Sequence, residues 1–142
     1  MLRIWKKYKL RIFVIAILII VIGIPCGYLY LLNNGNPYNR YIVNKYIPSY
    51  IEKKGYSKED IKEQDYVEPK HLINKDYFHG HYMVIFKDEP QITYYYGVSK
   101  KGRHVKQFCE KDESLANSTI DINEKMTKHS EMNCVRSLDN RD

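Results

Sequence analysis

His79-Gly80-His81 are the residues best suited to metal chemistry in this 142-residue chain. On a strand, positions i and i+2 share a face, so both imidazoles would approach one ion. A zinc site would recruit one or two further ligands, with His71, His104 and Cys109 as candidates. Their spacing matches no standard zinc signature, and exposed strand or loop histidines are the competing reading. Asp88 and Glu89 are adjacent acids, but neighbours in a strand or turn point apart. Paired-carboxylate catalysis needs groups converging at roughly 5–9 Å. With Pro90 and Gln91 following, turn formation explains the pair. The spacings support no Ser-His-Asp or Cys-His-Asn arrangement, and neither a phosphate-cradling glycine loop nor a Cys-x-x-Cys pair occurs. The chain reads as non-enzymatic, and no cofactor is expected.

Cys109 and Cys134 are candidates for a disulfide if this part of the chain lies in an oxidising exterior; free thiols are the alternative. Closing such a loop would contribute about 3 kcal/mol in the chain-entropy treatment. Tyrosine is the other chemical peculiarity: 11 of 14 fall between Tyr38 and Tyr96. Tyr94 and Tyr96 share one strand face and Tyr95 takes the other. Core packing and cross-strand pairing account for this pattern. The functional alternative is a sheet face at Tyr94, Tyr95 and Tyr96 that binds a peptide, a glycan or an envelope protein.

These residues need elements to position them. Asn36-Pro37 reads as a helix start, an N-cap followed by proline at the first helical position. Tyr38, Ile42, Val43, Tyr46, Tyr50 and Ile51 recur at helical spacing up to Lys54, with a kink expected at Pro48 and a stop at Gly55. The period then shifts towards two. Strands are expected at Tyr82–Phe86, Ile92–Tyr96 and His104–Cys109, with a weaker one at Ile61–Val67. Short links between them imply antiparallel pairing. The expected domain, residues 38–109, is α+β: one amphipathic helix on an antiparallel meander of three or four strands. Residues 110–142 lack aromatics and are expected to be a partly disordered polar tail with a short helix near Ile120–Met132.

Ahead of this domain, residues 12–32 run for 21 positions without a charged side chain. A helix of that length spans about 31 Å, enough to cross a hydrocarbon core of about 30 Å. Trp5, Tyr8, Tyr28 and Tyr30 fall where interfacial anchors would sit. Arg3, Lys6, Lys7, Lys9 and Arg11 all precede the run, which places residues 1–11 in the cytoplasm and residues 33–142 outside the cell membrane. A cleaved signal peptide would have a shorter apolar run and a small-x-small cleavage site, and none is convincing before Asn33. A lipid-carrying Cys26 would follow small residues, but Pro25 precedes it. Cys26 is expected to be inert packing, and residues 33–37 a short linker.

The net charge of +6 therefore divides unevenly. Five positives lie in residues 1–32, leaving 18 positives against 17 negatives in residues 33–142. That balance argues against a nucleic-acid-binding domain.

Several strings resemble an uncharacterised Firmicutes family of small proteins, known as a domain of unknown function, with an N-terminal membrane segment. They are Glu52-Lys53-Lys54-Gly55-Tyr56, Asp60-Ile61, and Val84-Ile85-Phe86-Lys87-Asp88-Glu89-Pro90 followed by Tyr94-Tyr95-Tyr96. They cover about half of the chain, residues 40–108. The resemblance implies a Gram-positive envelope protein and brings no activity or catalytic residues with it. In a bacterial protein the glycosylation-type triplet Asn117-Ser118-Thr119 would be an accident.

Overall fold

The computed structural model describes residues 2–115 and 119–141, with side chains described from residue 8 onward. The expected triplet at 117–119 thus lies largely outside the described residues. The chain divides into two units, residues 1–35 and 36–142.

The first unit is one helix, α1 (Leu2–Asn34), with Pro25 in its interior. The helix extends beyond the 21-residue apolar run at both ends, absorbing most of the basic stretch and the first linker residues. Every described side chain from Tyr8 to Asn34 is exposed, including Ile12, Phe13, Leu18, Ile22 and Leu32. Among the described residues, one helix is long and apolar enough to cross a membrane, and it is this N-terminal one. Asn34 closes the end by donating Nδ2–H to the Tyr30 carbonyl, and the Gly35 amide reaches Leu31 O.

The second unit opens with α2 (Pro37–Lys53). Asn36 Oδ1 accepts the Tyr38 amide at 2.9 Å, satisfying one orphan donor of the first turn. Ile42, Val43, Ile47 and Ile51 are buried. Ile47 completes the stripe that the tyrosines at 46 and 50 only flank. The helix runs on past Pro48; the carbonyl deprived of a partner belongs to exposed Asn44, on the wet side. At the far end Tyr56 N bonds Ile51 O and Gly55 N bonds Glu52 O, with Gly55 at φ 95°. That is a Schellman stop, and glycine supplies its left-handed residue without a Cβ clash.

Among the described residues six strands follow: β1 (Ile61–Val67), β2 (His81–Phe86), β3 (Ile92–Val98), β4 (Val105–Gln107), β5 (Lys111–Ser114) and β6 (Ile120–Asn123). The fold is α+β, and the sheet exceeds the three or four strands expected. Its order is β1-β2-β3-β5-β6, with β4 also on β3, and all pairings are antiparallel. One edge of β3 serves two partners. Tyr96 to Val98 pair with β4, while Ile92 and Thr93 pair with β5. Between these pairings the chain bulges through Phe108, Cys109 and Glu110.

Burial on β2 and β3 follows period two. Tyr82, Val84, Phe86, Ile92, Tyr94, Tyr96 and Val98 form a core with the buried face of α2. His81, Tyr95, Gly97 and Phe108 belong to the opposite face, a second and smaller cluster.

The tail departs most from expectation. Instead of disorder with a helix near Ile120–Met132, Lys111–Ser114 pairs with Ile120–Asn123, and residues 127–140 are held by polar bonds. Buried Gln107 donates Nε2–H to Tyr96 Oη and to His129 O, each at 2.9 Å, and accepts the Glu131 amide at 2.7 Å. His129 stacks on Phe86 with ring centroids 3.9 Å apart, standing in for the aromatic residue the tail lacks. Asn74 N donates to Ser137 O at 2.7 Å, and Lys75 N to Asn140 O at 3.1 Å. Composition measures apolar surface, and this tail is ordered by hydrogen bonds to buried partners elsewhere in the chain.

Candidate functional site

The second sheet face carries a pocket of about 550 Å³. Its chemistry begins with His81, the first residue of β2, paired with Val67 of β1. Period two turns the imidazole away from the α2 core. It packs 5.4 Å from the Tyr95 ring and 4.9 Å from the Phe108 ring, centroid to centroid. Phe108 reaches this face because the bulge after β4 releases it and because Gly97 has no side chain. A Cβ at Gly97 would stand 2.4 Å from Phe108 Cζ.

The walls come from three further segments. The loop after β1 contributes Glu68, Pro69 and His71; β5 and β6 contribute Asp112 and Ile122; the tail contributes Ser137, Leu138 and Arg141. The carboxylates here already hold donors. Tyr95 Oη donates to Asp112 Oδ2 at 2.7 Å, Ser137 N to Glu110 Oε2 at 3.0 Å, and Tyr66 Oη to Glu68. Burial and the Asp112 carboxylate both raise the Tyr95 phenol above its ordinary range, so it stays protonated.

His81 differs from them. The residue is 8% exposed, and its Nε2 is the one buried side-chain nitrogen or oxygen without a hydrogen-bond partner among the described residues. Burial, and secondarily His71 and His79, lower its pKa to about 4, leaving the ring neutral near pH 7. A neutral imidazole offers one donor and one acceptor. The site can therefore take a hydrogen-bonding group without acquiring a counter-charge.

The candidate two-histidine set is not assembled here. The strand begins at His81, so His79 precedes it in a bend and the shared-face argument does not apply. His79 Nε2 lies 3.1 Å from Pro69 O and 3.5 Å from Glu68 Oε1. His71 does approach His81, with ring centroids 6.4 Å apart. His104 sits in the β3–β4 turn near Gly102. Cys109 is bonded to Cys134, with Cα atoms 5.1 Å apart. Among the described residues, no three His, Cys, Asp or Glu side chains converge to hold a metal ion.

The tyrosine surface is also corrected. Tyr94 and Tyr96 are 0% and 2% exposed, because their face is the one α2 covers. Only Tyr95 reaches the second face, half-buried as a wall of the pocket. Asp88 does more than form a turn, accepting Lys128 Nζ at 2.5 Å and lying 2.8 Å from His129 Nε2. Those bonds hold its carboxyl down at about 2. Sequence reasoning missed Phe108, Glu110 and the tail as parts of one site. The aromatic-free tail offered no signal, whereas Gly97 inside a strand did mark a close approach.

The molecule is thus of a definite class: a single apolar N-terminal helix followed by a small α+β domain with a pocket on its second sheet face. The chain belongs to the family described as "Protein of unknown function (DUF3139)", whose model matches residues 5–96. That match ends within β3, so Phe108, Glu110 and the tail lie beyond it. Comparison with curated proteins and with solved structures finds no match.

Proposed function

We propose that this protein is a single-span, membrane-anchored module of the bacterial envelope, of Gram-positive type, whose outer domain binds a ligand or partner without catalysis. The observation that carries the reading is α1, a 33-residue helix whose described apolar side chains from Ile12 to Leu32 are exposed. Water would penalise that surface at about 25 cal/mol per Å², whereas lipid removes the penalty. The five basic residues before the apolar run favour a cytoplasmic N-terminus. The acids of the pocket, Glu68, Glu110 and Asp112, and most tyrosine hydroxyls of the outer domain are engaged in bonds that hold its own chain together, which supports a binding or regulatory role over catalysis. Expressed at full length, the protein is expected to sediment with membranes, resist alkaline carbonate and dissolve in detergent. Release by carbonate alone would refute the anchor.

A further inference from the structure

We propose that the pocket around His81 is a binding site for a small uncharged molecule with an apolar body and one hydroxyl group. The inference deepens the reading of the outer domain as a binding module and rests on it.

Three observations converge. The first is volume: about 550 Å³ falls within the range of small-molecule sites, roughly 300–1,000 Å³. The second is the lining. Val67, Pro69, Tyr95, Phe108, Ile122 and Leu138 supply apolar surface around a few polar groups. The third is the orphan Nε2 of His81, on a lining whose carboxylates Glu68, Glu110 and Asp112 already hold donors. A buried polar atom without a partner is unfavourable, and an arriving ligand group recovers that cost.

The ligand's charge and polar group follow from the same facts. An anion would meet three carboxylates, Glu68, Glu110 and Asp112, against two cations, Lys70 and Arg141, around a neutral imidazole. A cation would find those carboxylates already engaged by Tyr66, Tyr95 and the Ser137 amide, with Lys70 and Arg141 also on the lining. A neutral molecule meets neither cost. A hydroxyl suits Nε2 in either tautomer, because it donates to the lone pair or accepts from the N–H.

The test uses the full chain in lipid nanodiscs, with ¹⁵N-labelled histidine side chains and two probes of matched shape, benzyl alcohol and ethylbenzene. Free aqueous concentrations are equalised to remove partition into lipid. The expected result is a saturable shift of the His81 imidazole signals with benzyl alcohol. At least tenfold weaker binding is expected for ethylbenzene. His81→Phe should bring the two probes within twofold. Leu138→Asp, on the pocket lining, should weaken both probes while leaving the unliganded His81 signal in place. Equal affinity for both probes, or alcohol-induced shifts that spare His81, would overturn the assignment. Membrane extraction behaviour is read on the same preparations. Loss of ligand binding with retained anchorage therefore counts against the pocket alone, and loss of anchorage counts against the module itself.

Discussion

At the residue scale, two side chains register pH in opposite parts of the domain. His81 has its pKa lowered by burial from 6.5 to about 4. Between those values the unfolded chain binds a proton that the folded one refuses, so stability rises with pH through this window and is complete above it. The shift corresponds to on the order of 3 kcal/mol. Denaturant titrations between pH 4 and 7 should show this slope, and His81→Phe should flatten it. Asp88 is depressed to about 2 by Lys128 and His129, so its contribution is present above pH 3.8 and fades as pH falls towards 2. Gly97 responds to size instead. Alanine there would press on Phe108 at 2.4 Å, and Gly97→Ala should cost about 1–3 kcal/mol by chemical denaturation. An unchanged midpoint would mean that the Phe108 ring moves aside freely.

At the scale of elements, the bulge between β4 and β5 is where the domain is tied together. Cys109 bonds Cys134, Cys109 N donates to Val135 O, and Val135 N donates to Gln107 O. Three bonds at Cys134 and Val135 thereby tie the tail to β4 and the bulge that follows it. Replacing both cysteines with serine should cost about 3 kcal/mol, because the loop between them is no longer closed in the unfolded chain. Far-ultraviolet circular dichroism should change little, since the α2 core does not include the disulfide. Gln107→Ala should cost about 1–3 kcal/mol, because Tyr96 Oη, the His129 carbonyl and the Glu131 amide lose a common partner. The two effects should not add, because both substitutions free the same segment.

Legibility of the fold divides along the same line. α2 and β1 to β4 were readable because each obeys a local rule: a cap, a period of 3.6 or 2, a glycine stop. β5 and the clamps of the tail obey none, and the alternation in β6 lasts only from Ile120 to Asn123. Lys111-Asp112-Glu113-Ser114 has no strand preference of its own and pairs because β3 presents a free edge at Ile92 and Thr93. The candidate site was readable only in part. His81 stood out by residue type, but its face depended on where β2 begins, and its neighbours Phe108 and Leu138 arrive from distant sequence. The tyrosines misled for a related reason: alternation reveals two faces, while the helix that covers one of them is specified elsewhere.

At the scale of the whole molecule, the chain divides between α1 and the domain that follows. The sequence shows this division as a charge of +6 that resolves into a basic N-terminal stretch and a nearly neutral remainder. In the structure the same division is an apolar helix without buried side chains among those described, followed by a domain with its own core. These features together support the proposed membrane attachment and direction of insertion. The most direct test is protease accessibility on cell-wall-stripped intact cells expressing the full chain with different tags at its two ends. The account predicts digestion of the C-terminal tag and protection of the N-terminal tag until the membrane is opened by detergent. Protection of the C-terminal tag in intact cells, with its digestion only after detergent, would contradict it.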